Sequence, residues 1–285
     1  MMKEYPLVSI IITTCNREMH VLERAIKSAA GQTYENKEII VVNDWPEYRY
    51  RIEKLLEGFS KITFISNEEQ SGACVSRNAG LEAAKGEYIA LLDDDDEWLP
   101  EKLEKQVAAA DEGTVLVYCG ISAVKDGKEL KPDPDRKYPE GEVLGDILGS
   151  NFVGGCSVPL IRKDAVYGCG GFDREFRSCQ DLDLWIRLAK KGSFRAVRER
   201  LVRYSVGEGS ITGSLERRMN GWEMILSKYK TEYDEHPLAY REFTSVMVRE
   251  VAKRGSFGQA VAAWKKHGNT ADILKGTAMK ILGIY

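Results

Sequence analysis

The sequence predicts an α/β protein: a wound, mostly parallel sheet flanked by helices, with a small helical region at its C-terminal end. Three observations carry this reading. Apolar runs of strand length alternate with amphipathic stretches from Val8 to Val124. Two of those runs, ending at Asp44 and at Asp93, stop abruptly in carboxylates at the strand ends where open α/β sheets bind ligands. From about Leu215 onward the alternation stops and only helical periodicity remains, so a boundary is expected between 1–214 and 215–285.

Val8–Thr14 is the first expected strand, broken by Cys15-Asn16-Arg17. A helix follows over Met19–Ala30, with Val21, Leu22, Ala25, Ile26 and Ala29 on one face and Gly31 as its stop. Lys37–Asp44 is a second strand, and a helix over Arg51–Gly58 leads to a third strand, Lys61–Ser66. Gly72–Lys85 reads as a helix, followed at once by the central strand ending at Asp93. Beyond it come a helix over Leu99–Ala110, a strand over Val115–Val124 and a polar loop over Lys128–Glu142. Cys156–Ile161 reads as a strand, Gly168–Asp173 as a glycine-dense turn where backbone can approach a ligand, and Gln180–Lys191 as a helix.

The stretch Glu87-Tyr-Ile-Ala-Leu-Leu-Asp-Asp-Asp-Asp-Glu-Trp-Leu-Pro100 organises the rest. Asp93, Asp94, Asp95 and Asp96 repel one another, so a fold placing them at a strand end needs a compensating cation. A hard divalent ion shared with substrate phosphates is the natural partner. A solvated acidic turn before a helix is the plainer alternative. A calcium loop fails, because the sixth position from Asp93 is Trp98 where the tight turn wants glycine.

Composition narrows the class. Hydrophobic residues make up 43% and charged residues 30%, an ordinary soluble balance with ample core. No apolar run reaches the roughly 18 residues of a membrane span, and the N-terminus lacks a signal-peptide core. Six cysteines without CxxC spacing read as reduced thiols of a cytoplasmic protein, and three histidines are too few for a multi-histidine zinc site. No GxGxxG opens a helix and no GxxxxGK[ST] exists, which removes the main support for dinucleotide and P-loop chemistry. Net charge is −3, but from Ile186 onward 19 Lys and Arg stand against 10 Asp and Glu. That basic end points to an anionic-lipid or other surface contact, peripheral on the inner face of a membrane. Nucleic acid is disfavoured, because no basic stripe with interleaved aromatics appears near the candidate site.

Taken in order, these motifs resemble the family 2 inverting glycosyltransferases of the GT-A fold. Val8-Ser-Ile-Ile-Ile-Thr-Thr-Cys-Asn-Arg17 resembles the family's opening strand and turn, and Asn43-Asp44 its carboxylate pair. Gly72-Ala-Cys-Val-Ser-Arg-Asn-Ala-Gly80 is similar to its glycine-to-Arg-Asn segment, and Gly86–Trp98 to the strand bearing the DxD motif. Gly170-Gly-Phe-Asp173 with Gln180-Asp-Leu-Asp-Leu-Trp-Ile-Arg187 resembles the acceptor-side motif.

The resemblance implies roles. Thr13, Asn16, Arg17, Asp44, Arg77, Asp93 and Asp94 would hold the nucleotide, with Asp95 the principal ligand of Mn²⁺ or Mg²⁺. Asp181 would be the general base, and Gly170, Gly171, Trp185 and Arg187 would stand on the acceptor side. The donor would be a nucleotide-sugar, a UDP-sugar, and the acceptor a glycan or lipid-linked saccharide of the cell envelope. The sequence departs from the pattern at Trp45-Pro46-Glu47, at Gln180 where an acid is usual, and at Tyr204–Ser210, which carries no histidine. The Gln/Arg-rich Trp motif of processive synthases is absent, so one sugar per encounter is expected. Two rivals remain open: a sugar-nucleotide nucleotidyltransferase, disfavoured because Thr13–Arg17 lacks glycine, and a non-catalytic nucleotide-sugar-binding protein. The terminal pattern Leu274, Ala278, Ile281 and Leu282 beside Lys275 and Lys280 reads equally as an interfacial helix or as one packed on its own domain.

Overall fold

The apolar runs at Val8–Thr14, Lys37–Asn43 and Tyr88–Asp93 become strands buried along most of their length. The computed structural model describes residues 5–132, 134, 136–206, 214–267, 274, 276 and 277. The strands β1 (Val8–Thr14), β2 (Lys37–Asn43), β3 (Ile62–Ser66) and β4 (Tyr88–Asp93) lie parallel in the order β3-β2-β1-β4. Their connections carry the helices α1 (Met19–Ala30), α2 (Arg49–Leu56) and α3 (Ala73–Ala83). Ile10, Ile12, Ile40, Val42, Ile89 and Ala90 are fully buried. Each large aliphatic side chain so covered stabilises the fold by about 1.5–3 kcal/mol. α3 presses close on β1: a side chain at Gly80 would run into Ile11.

Register puts the chemistry at one level. Thr13 pairs with Asp93 and Thr14 with Asn43, so the carboxyl ends of β1, β2 and β4 finish together. After a turn, β5 (Glu97–Trp98), α4 (Lys102–Ala109), β6 (Thr114–Lys125), β7 (Lys128–Glu129), α5 (Leu144–Gly149), β8 (Leu160–Arg162), α6 (Lys163–Gly168), α7 (Gln180–Ala189) and β9 (Ser193–Ser205) follow. The sheet continues β4-β8-β6-β9-β5, with β8 antiparallel to β4 and β9 parallel to β6. Helices α8 (Leu215–Lys228), α9 (Lys230–Glu235), α10 (Pro237–Arg254) and α11 (Phe257–His267) complete the described chain.

The chain divides into two compact units. One comprises Met1–Val143, Phe152–Arg174 and Asp183–Gly207, and holds the whole sheet. The other comprises Leu144–Asn151, Glu175–Leu182 and Glu208–Tyr285. Within the second, Trp222, Ile225, Tyr229, Tyr233, Phe243, Met247, Val248 and Val251 are buried, and the Tyr233 hydroxyl donates to the Leu148 carbonyl at 2.9 Å.

Several elements differ from the sequence expectation. The strand expected over Cys156–Ile161 is only Leu160–Arg162, because Ser157 turns its hydroxyl to the Asp93 amide (3.0 Å) and its carbonyl to the Trp98 indole (2.8 Å). β9 has no counterpart in the sequence reading: five charged residues from Arg195 to Arg203 mask its alternation, and pairing along β6 holds it. The helix expected from Leu99 starts at Lys102, since the Leu99 and Pro100 carbonyls go to Gln32 and Thr33. The Lys128–Glu142 loop opens with β7, a hairpin turned by Asp126 (φ 49°) and Gly127 (φ 74°). The terminal pattern at Ala278, Ile281 and Leu282 lies outside the described residues.

Candidate active site

The acidic run is a tight turn at the end of β4. Asp93 closes the strand, and the Asp96 amide returns to the Asp93 carbonyl at 3.1 Å. Burial raises the Asp94 carboxyl to about 6, against the pull of Arg17. Asp95 is also raised by burial, and Asp96 well above the usual range by burial and then by the Asp93 charge.

Two guanidinium groups hold this charge. Arg17 Nε meets Asp94 Oδ1 at 2.9 Å and its Nη2 meets Asp95 Oδ2 at 3.1 Å. Asn16 makes that reach workable: its φ of 49° is a left-handed turn that Asn tolerates better than most residues. Arg77, from α3, meets Asp93 Oδ1 at 2.7 Å, lies over the Phe172 ring, and keeps a buried Nη1 without a hydrogen-bond partner. Thr13 is half-buried beside Asp93 in register.

Asp44 is met differently. Its Oδ1 accepts from Asn67 Nδ2 (2.8 Å), the Ser71 amide (2.9 Å) and the Ser76 hydroxyl (2.9 Å), and its Oδ2 accepts from the Gly72 amide (2.9 Å). These are neutral donors at the N-terminus of α3, where the helix dipole favours a carboxylate. A carboxylate oxygen has two acceptor positions, so Oδ2 keeps capacity for another donor.

Residues that the sequence reading did not single out build much of the frame. Thr14 hydrogen-bonds Asp94. Ser205 brings the end of β9 to the turn, its amide donating to Asp96 Oδ1 at 2.9 Å and its hydroxyl to the Asp95 carbonyl. Arg24 Nη2 donates to that same carbonyl at 2.6 Å. Ser157 anchors the Asp93 amide. Short hydroxyl side chains far apart in sequence carry no periodic signal, so only the sheet order brings them together.

The acceptor-side motif is tightly built. Gly170 (φ 78°) and Gly171 (φ 71°) take backbone angles that other residues avoid. What approaches this turn closely is the protein itself. Asn78 exchanges two hydrogen bonds with Phe172 (2.8 and 2.9 Å), and Arg187 Nη1 donates to the Cys169 and Gly171 carbonyls (2.7 and 2.8 Å). Trp185 is fully buried and donates to the Gly154 carbonyl at 3.0 Å. Asp183 is fully buried and paired to Arg187 at 2.5 Å. Asp181, opening α7 within the second unit, is half-buried, accepting from the Leu182 amide at 2.8 Å and from Asn151 Nδ2 at 3.3 Å.

Among the described residues, no three His, Cys, Asp or Glu side chains converge to cage an ion by themselves. The donor set at the β4 turn is nevertheless all hard carboxylate oxygen, with Asp93 and Asp95 about 30% exposed and a buried Asp96 Oδ2 without a partner. A hard-oxygen donor set of this kind suits Mg²⁺ or Mn²⁺.

The family model described as "Glycosyl transferase family 2" matches residues 9–176. This chain belongs to that family and is a glycosyltransferase. It is 30% identical over 260 residues to a putative colanic acid biosynthesis glycosyl transferase, WcaA, of Escherichia coli K12, covering 87% of this chain and 90% of the other. The fold matches S. aureus TarS 1-349 in complex with UDP-GlcNAc, with a TM-score of 0.69, 15% identity, and coverage of 98% of this chain and 89% of that one. This chain covers 54% of a longer TarS structure. It also matches a mannosyltransferase from Pyrobaculum calidifontis in complex with GDP-Man and Mn²⁺ (TM-score 0.67, 15% identity, coverage of 99% and 89%). At these identities the structures establish the fold, which is GT-A.

Among the described residues, no helix is long and apolar enough to cross a membrane.

Proposed function

We propose that this glycosyltransferase inverts the anomeric centre, moving one sugar from a UDP-sugar to a glycan or lipid-linked saccharide in a single displacement. The observation that carries the reading is the meeting of Asp93, Asp94 and Asp95 with Arg17 and Arg77 at the carboxyl end of β4. Open α/β sheets bind ligands at that edge. The relatives supply support of their own: one is named for colanic acid biosynthesis, and one fold neighbour is in complex with UDP-GlcNAc. Family membership also removes the nucleotidyltransferase alternative.

In this reading Thr13 and Asp44 receive the nucleobase, the carboxylate accepting from an imide N–H at its remaining Oδ2 position. Asp93 and Asp94 line the ribose and phosphates beside Arg17, near Asn16, and beside Arg77, whose unpartnered Nη1 is a donor in reserve. Asp95 would be the principal protein ligand of Mn²⁺ or Mg²⁺, which would supply charge neutralisation to the leaving diphosphate. Asp181 takes the proton from the acceptor hydroxyl as its oxygen forms a bond to C1. The C1–O bond to the diphosphate breaks, and its electron pair leaves with the phosphate. No enzyme nucleophile is needed. Gly170, Gly171, Trp185 and Arg187 set the shape of the acceptor wall.

The test is a panel of nucleotide-sugars assayed for metal-dependent hydrolysis and transfer, with the anomeric configuration of the product read by NMR. Inverted product from a UDP-sugar is expected; turnover restricted to other nucleotides, or retained configuration, would overturn the corresponding part. Peripheral contact with an anionic membrane through residues after about Asn269 completes the proposal, supported by the basic excess beyond Ile186. Truncation there should weaken binding to anionic vesicles, and equal binding would remove it.

A further inference from the structure

We infer that Arg17 is a built-in place-holder cation for the acidic turn, holding Asp94 and Asp95 together until a divalent ion arrives and then releasing Asp95. This rests on the metal-dependent reading of the site.

Four adjacent acids at a strand end demand positive charge. The chain supplies it from its own residues, and the two ion pairs are not equivalent. Arg77 and Asp93 are joined at 2.7 Å, with the guanidinium 8% exposed, which makes that pair part of the frame. Arg17 is 38% exposed and sits on a turn between β1 and α1.

Its own two arms differ as well. The Asp94 arm is shorter (2.9 Å) and ends on a carboxylate 7% exposed; the Asp95 arm is longer (3.1 Å) and ends on one 31% exposed. The Asp95 arm is therefore the exchangeable one, since exposed pairs are weak and solvent competes for both partners.

Asp95 does not depend on that arm for its position. Its backbone carbonyl is held by Arg24 and by the Ser205 hydroxyl. Releasing the side chain thus requires a rotation of Arg17 and no movement of the main chain. A planar guanidinium set free there still has a fork of donors suited to phosphate oxygens. The consequence is competition: a divalent ion approaching without nucleotide must displace Arg17 from Asp95 Oδ2 before it can bind.

The experiment is calorimetric titration of Mn²⁺ alone into the full chain and into R17Q, R17K and R24Q, then the same titrations with UDP present. Removing the competitor should tighten Mn²⁺ binding by R17Q about tenfold. R17K keeps the charge but loses the two-armed fork, so a smaller tightening is expected. R24Q removes a charge that also bears on Asp95 but contacts neither carboxylate, so its tightening of Mn²⁺ binding should be clearly smaller than that of R17Q. In R17Q the gain in Mn²⁺ affinity conferred by UDP should shrink, because the freed fork no longer meets the diphosphate.

Unchanged or weaker Mn²⁺ binding by R17Q, with wild type binding normally, would overturn the inference and leave the metal reading standing. Equal tightening in R24Q would reduce Arg17 to a general charge effect and overturn it too. Absence of Mn²⁺ binding in every protein, with UDP present, would overturn both. Thermal midpoints identify a variant that has lost its fold, and R17K then carries the test.

Discussion

Asp44 and the Asp93–Asp96 turn both close a strand at the same edge of the sheet, yet the protein meets them with different chemistry. Asp44 is surrounded by neutral donors: two backbone amides, an amide side chain and a hydroxyl. The turn is met by guanidinium groups from Arg17 and Arg77. Neutral donors fix a single carboxylate in place and tie a loop to a helix start. Cations are required where acids crowd, and a cation can be exchanged for another cation. Asp44 is thus largely architecture that keeps spare capacity for a ligand, and the turn is a charge reservoir.

The same contrast recurs on α7 and yields the largest expected effect. Asp183 is sealed against Arg187, while Asp181 is half-exposed and met by the Leu182 amide and by Asn151. Asp181→Asn should preserve donor affinity and lower transfer by roughly 10²-fold or more. Asp183→Asn should act on stability, because it breaks the pair that lets Arg187 hold the Gly170–Gly171 turn. Calorimetry with donor and turnover with acceptor separate the two. Lost turnover in Asp183→Asn alone would mean that the other acid is the base.

Asp44 offers the next largest test, on stability. Asp44→Ala strands two backbone amides and two side-chain donors, and should cost about 2–4 kcal/mol in urea unfolding. Asp95→Ala, removing a partly exposed acid with an exchangeable partner, should cost much less. Equal losses would break the distinction between architecture and reservoir.

Lys102 sharpens the comparison from the other side, as a buried cation with no carboxylate partner among the described residues. Its ammonium lies over the Trp98 ring at 4.1 Å and donates to Gln106 Oε1 at 2.7 Å, and burial lowers it to about 8. An unfolded Lys titrates near 10.4, so between about pH 8 and 10.4 the unfolded chain binds more protons than the folded one. Lys102 should therefore add up to about 3 kcal/mol of stability as pH rises across that window, read as the difference between the profiles of wild type and Lys102→Met. Identical slopes in wild type and Lys102→Met would show that the ammonium is better solvated than its burial implies.

How much of this was legible in the sequence follows from what each residue is bonded to. The runs Ser9–Ile12, Ile39–Val42 and Ile89–Leu92 needed no partner to be read, since their apolar character reflects burial on both faces. The acids at their ends were legible for the same reason, as polarity switching on at a fixed point. β9 was hidden because a strand rich in Arg owes its existence to pairing with β6. The Asp126-Gly127 pair was a hairpin signal in plain view. Arg17 was legible as a site residue but not as the partner of Asp94 and Asp95, and Ser157, Ser205, Thr14 and Arg24 left no trace, because hydrogen bonds across 64 to 110 residues follow only from the strand order.

The central claim is that the turn at the end of β4 is where a nucleoside diphosphate and a divalent cation meet. Titrating UDP into the protein by calorimetry, in Mn²⁺ and then in EDTA, for wild type and Asp95→Asn, tests it most directly. Binding that needs Mn²⁺ and is lost in Asp95→Asn, with the unfolding midpoint of that variant unchanged, is the predicted result. UDP binding that is as tight in EDTA, or undiminished in Asp95→Asn, would contradict it.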